Sequence, residues 1–154
     1  MNSSREIRLA FLVALTLTVS GASAVLSIAE GAIFPVGLTP VFAVAAVWMN
    51  EWKRWLILPT IAANALGVVA ILAGGAELTL GTVEARILSG AHLSAYIAWI
   101  ILFMRKQYRQ YWWLVAISVL QLAVSSALTR EPHLGLSLVG MMFLIVWTLT
   151  LFTL

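Results

Sequence analysis

The side chains able to do acid, base, metal or nucleophilic chemistry are few here: two histidines, His92 and His133, six acids that are all glutamates, and no cysteine or aspartate. A thiol nucleophile is therefore excluded. A serine nucleophile needs a histidine and a carboxylate gathered around it, and no serine in this sequence has them nearby. Gly74-Gly75 lacks the following Lys-Ser/Thr and the strand context of a phosphate-binding loop. Two histidines on neighbouring helices could hold a haem or a metal ion. Such a ligand is normally oriented by an acidic or carbonyl partner, and the sequence sets no acid beside either histidine. His92 is kept as the cofactor-binding candidate, its expected role being a hydrogen-bonded structural histidine, and His133 is expected to be solvated. No catalytic residue, metal site or cofactor is expected.

These groups sit in a chain built for lipid. Of its 154 residues, 62% are hydrophobic and 10% charged, against about 25% charged in an ordinary soluble domain. Nine bases and six acids are too few to cover a water-soluble surface of this size. In a bilayer, outward helix faces can be as apolar as packed ones. The bases form small clusters between apolar runs, a pattern of membrane topology rather than of a nucleic-acid-binding face.

Six apolar runs of helical length follow, at about 9–29, 34–49, 55–73, 87–104, 112–128 and 134–154. The first, with Arg5 and Arg8 before it and Ala22-Ser23-Ala24 inside it, also imitates a secretory signal. It is read as a retained first helix because the chain carries it from Met1. Pro35 suits a helix start, and Pro40 predicts a kink one turn later. Gly74-Gly75 is expected to close the third helix, with a surface loop or short interfacial helix over 76–86. Pro132 is expected to stop the fifth helix. No charged residue falls deep inside a run, which disfavours an ion-coupled transporter. Asn64, Gln121, His92 and several Ser and Thr are expected to make hydrogen bonds between helices. The small residues Gly21, Ala22, Ala24, Ala62, Ala63 and Gly67 are expected to let backbones approach.

With the amino terminus inside, Arg5, Arg8, Lys53, Arg54, Arg105, Lys106 and Arg109 collect in the cytoplasm, leaving Arg86 and Arg130 outside. Seven bases against two orients the chain by the positive-inside rule. Trp48, Trp52 and Trp55, and then Tyr108, Tyr111, Trp112 and Trp113, suit the headgroup layer. The expected fold is an all-α polytopic membrane bundle of six transmembrane helices, a single domain over 1–154 with both termini cytoplasmic.

The run Arg105-Lys106-Gln107-Tyr108-Arg109-Gln110-Tyr111-Trp112-Trp113, followed by Ser118-Val119-Leu120-Gln121-Leu122-Ala123-Val124 and later by Val146-Trp147-Thr148-Leu149, resembles the amino-terminal membrane region of bacterial TgpA-type transglutaminase-like proteins. The recognisable motif covers about 105–154, and the likeness in hydropathy covers the whole chain. Gln110 departs from the pattern, standing where an aspartate is expected. The resemblance implies a multi-helix anchor in a bacterial inner membrane, preceding an extracytoplasmic transglutaminase-like domain with a Cys-His-Asp site. Six crossings from an inside start end inside, so a further helix would have to intervene, and Leu154 closes on no polar cap. Two other readings are carried: an accessory subunit of a larger membrane complex, and a small transporter or haem-binding bundle. The partners expected are the lipid bilayer and such a complex or domain, with no nucleic acid.

Overall fold

Apolar runs bounded by Gly, Pro and basic clusters become six α-helices in a computed structural model of the chain. It describes residues 3–53, 57–79, 82–105, 107–128 and 132–153, with the backbone alone at 3–5, 51–53, 77–78, 84 and 132–134. The helices are α1 (Ser3–Glu30), α2 (Thr39–Val47), α3 (Thr60–Leu78), α4 (Val83–Phe103), α5 (Tyr108–Leu128) and α6 (Pro132–Thr153). A 3₁₀ turn, Val36–Leu38, leads into α2, and a π-helical turn, Trp48–Lys53, extends it. Among the described residues there is no strand, only a lone bridge between Leu58 and Met104. The chain is an all-α membrane bundle. Among the described residues four helices, α1, α4, α5 and α6, are long and apolar enough to cross a bilayer, while the apolar stretches at Val36–Asn50 and Thr60–Ala76 are shorter.

Helix α1 is central, packed against α2, α5 and α6, and α4 joins α2, α3 and α5. Its buried Phe11, Leu15, Val19 and Ala22 recur every three to four residues, the spacing of one helical face, and pack with Leu114, Val115, Met141 and Ile145. Directions follow from the contacts. Phe11 meets Tyr111 and Phe152 at ring-centroid distances of 5.0 and 5.4 Å, whereas Ser23, further along α1, meets Gln121. So α1 and α5 run parallel and α6 antiparallel. One end of the bundle, here the basic end, carries Arg8, Arg105 and Arg109; the opposite end carries Glu30 and the start of α4.

Several boundaries differ from expectation. Pro40 lies in the first turn of α2, where its missing N–H breaks no hydrogen bond, so it begins the helix instead of kinking it. Pro132 likewise opens α6. The third helix does not end at Gly74-Gly75 but runs on to Leu78, and the stretch 76–86, expected as a surface loop or a short interfacial helix, is shared between the end of α3 and the start of α4 at Val83, with 80–81 outside the described residues. Gly74 sits in a close helix contact: a Cβ there would lie 3.2 Å from Leu93 Cβ of α4. Thr82 then caps α4, its hydroxyl accepting from the Ala85 N–H at 3.4 Å. The third helix also starts later than 55, at Thr60 behind Pro59, whose carbonyl accepts from the Ala63 N–H.

Among the small residues, Gly21 provides a close approach, since a Cβ there would fall 2.6 Å from Met141 Sδ. Gly67 does not, having nothing within 4 Å of its would-be Cβ. The flexible methionine can yield to a methyl group but not to a branched chain. Gly21→Leu is accordingly expected to lose about 1–3 kcal/mol by overpacking, with Gly21→Ala much milder; equal unfolding midpoints for the two in detergent would contradict the contact.

Gln110, where the resemblance leads one to expect an aspartate, has a local structural role. Its Oε1 accepts from the Gln107 N–H at 3.1 Å, reaching back over the first turn of α5 as one half of a capping box. An amide does this without a charge. Gln110→Ala should destabilise the start of α5 by about 1 kcal/mol, whereas Gln110→Glu should hold the cap; amide hydrogen exchange at 107–111 reads the difference.

Candidate functional site

The titratable groups drawn together inside the bundle are His92 and Glu30. Glu30 is the last residue of α1, and Gly31 ends the helix by adopting φ 72°, donating its N–H to the Ser27 carbonyl at 3.0 Å and sharing it with Ile28 at 3.2 Å. Ser27 Oγ donates to the Ala32 carbonyl at 2.6 Å, which fixes the turn. The chain leaves sharply and Glu30 stays against the bundle. On α4, His92 faces it with Nε2 2.7 Å from Glu30 Oε1, the side chains being 15% and 5% exposed. Glu30 Oε2 is buried with no hydrogen-bond partner among the described residues. Here the structure corrects the sequence reading: His92 does have an acidic partner, Glu30.

A second polar centre lies nearer the middle. Gln121, 1% exposed on α5, accepts from Ser23 Oγ of α1 at 2.8 Å and directs its Nε2 to Ser94 Oγ of α4 at 3.4 Å. Ser125 Oγ donates to the Gln121 carbonyl at 2.7 Å. Thr18 and Thr148 pair at 2.9 Å across α1 and α6, and Trp99 Nε1 donates to Thr39 Oγ1 at 2.9 Å across α4 and α2. These bonds tie α1 to α5 and α6, α5 to α4, and α4 to α2, helices that the hydropathy pattern could only call apolar. Asn64, expected to make such a bond, is instead exposed on α3. The side chain of His133 lies outside the described residues.

Chemically, the Glu30–His92 pair can hold and orient one proton between an imidazole and a carboxylate. It does not present a haem ligand as it stands, because His92 Nε2, a usual iron-binding nitrogen, is engaged by Glu30. Among the described residues no three His, Cys, Asp or Glu side chains gather to hold a metal ion, and zinc sites use at least three protein ligands. Sequence reasoning missed Glu30 because helix-terminal acids are ordinarily solvated. The available clue was its setting, an acid followed at once by Gly31 and then by apolar Ala32, Ile33 and Phe34. Compared with known proteins, the chain matches no family model, no curated protein and no solved structure.

Proposed function

We propose that this chain is a non-catalytic membrane domain that anchors and assembles a larger machine, crossing a bacterial inner membrane six times with both ends cytoplasmic. The observation that carries the reading is the division of its side chains. Gln121, Ser23, Thr18, Thr148, Thr39 and Trp99 make bonds between helices, while the outward faces of α3 and α6 are mostly apolar, with Ile61 85% and Phe143 74% exposed. A surface of that kind is stable in lipid and suited to holding other helices. The anchored partner is a transglutaminase-like domain with a Cys-His-Asp site, a choice supported by the motif over 105–154.

The accessory-subunit reading is favoured by one residue. Asn64 sits on the outward side of α3, where an unpaired amide facing hydrocarbon is costly. A neighbouring transmembrane helix that supplies a hydrogen bond would cover it.

Intact-mass measurement of the native polypeptide tests the partner: a mass well above 16.8 kDa, including a Cys-His-Asp domain, supports the anchor, and a mass near it rejects that reading in favour of the accessory subunit. Orientation is tested in this 154-residue stretch, which contains no cysteine. A cysteine placed at Lys106 should resist an impermeant reagent applied from outside; labelling there would reverse the topology.

A further inference from the structure

Between α2, α3 and α4 lies a groove of about 380 Å³, within the size range of small-ligand sites. It exists because α3 packs chiefly on α4 and presents the small Ala70 and Ala73 to the rings of Phe42, Tyr96, Trp99 and Phe103. The stack is ordered: Trp99 lies 4.4 Å from Phe42 and 5.5 Å from Tyr96 by ring centroid, and its Nε1 is held by Thr39. Such a wall keeps its shape when the space beside it is filled by something flexible.

The groove has a polar end. Leu58 lines it there, and its N–H donates to the Phe103 carbonyl at 2.9 Å. Asn50 Nδ2 donates to the Leu102 carbonyl at 3.1 Å. These two bonds fasten Asn50 and Leu58 to the last turn of α4; Lys53 lies between them in sequence, the exposed Arg105 comes two residues after Phe103, and Arg109 lies in the first turn of α5. Arg54 and Lys106 adjoin them in sequence. Glu51 shares the first of these connections with Lys53; among the described residues no acid lies in the second, between α4 and α5, and Glu6, at the same end, lies in the first turns of α1.

We propose that this groove is a binding site for an anionic phospholipid, one acyl chain lying against Trp99 and Phe103 and the phosphate headgroup meeting Arg105. The apolar lining fits hydrocarbon, and the charge at its mouth selects the headgroup; basic pockets between helices recognise anionic lipids in this way. The site is independent of whether a catalytic domain is attached.

Native mass spectrometry of the full chain, released from vesicles of phosphatidylcholine containing a minor fraction of phosphatidylglycerol, tests it. One phosphatidylglycerol should be retained in preference to phosphatidylcholine. Ala70→Phe, which fills the groove, should abolish that retention. Arg105→Gln should weaken it by roughly fivefold, about the contribution of a single base near an anionic surface, without affecting phosphatidylcholine. Retention of both lipids alike in the wild type, or undiminished phosphatidylglycerol in Ala70→Phe, would overturn the proposal. Should Ala70→Phe not fold, phosphatidylglycerol with brominated chains decides the matter. Its quenching of tryptophan fluorescence at low mole fraction should fall in Trp99→Phe, and equal fractional quenching in the two proteins counts against the site.

Discussion

Replacing His92 with alanine is expected to destabilise the bundle by about 3 kcal/mol or more, because it strands a buried carboxylate and leaves a void on α4. Glu30 is 5% exposed and its Oε2 already has no partner among the described residues, so the 2.7 Å contact to His92 carries its compensation. His92→Gln, which can still donate, should lose less. The decisive comparison is the double variant: His92→Ala with Glu30→Ala removes the stranded charge and should be less destabilised than the sum of the two single changes. Reversible unfolding in mixed micelles, followed by circular dichroism, provides the cycle. Strict additivity would mean that the two groups do not support each other.

The second large effect is expected at Gln121. Gln121→Ala deletes the acceptor of Ser23 and the donor to Ser94, and opens a cavity where α1, α4 and α5 meet. The loss should be about 2–4 kcal/mol, combining a core truncation with unpaired hydroxyls. Gln121→Leu restores most of the volume and isolates the polar part, which should amount to about 1 kcal/mol, since hydrogen bonds between membrane helices average below that. The bond from Ser125 goes to the backbone carbonyl of Gln121 and persists in both variants. If leucine proves as damaging as alanine, hydrogen bonding outweighs packing at this position; if leucine is neutral, the network contributes nothing measurable.

The two positions differ in how far they could be read in advance. Gln121 lies within an apolar run, where an amide must find a partner, so its role as a tie between helices was legible even though Ser23 and Ser94 were not. Asn64 has the same sequence setting and turns outward. The difference is tertiary: α5 is clasped by α1 and α4, whereas α3 packs chiefly on α4 and has a free side. A residue's type sets the need for a partner, and only the packing angle of its helix sets which way it faces.

Hydropathy, the spacing of Gly and Pro and the clustering of bases are properties of the chain alone, and they suffice for an all-α membrane bundle with an apolar exterior. Lipid offers no hydrogen bonds, so the backbone must satisfy its own, and long apolar runs do so as helices. Helix ends were less certain because Pro40 and Pro132 are compatible with either starting or stopping a helix, and a glycine such as Gly74 can serve a contact rather than a break. The pairing of Glu30 with His92, 62 residues apart, and the groove beside Trp99 were decided by tertiary structure. Each depends on where separate helices cross, which the order of residues along any one of them does not contain.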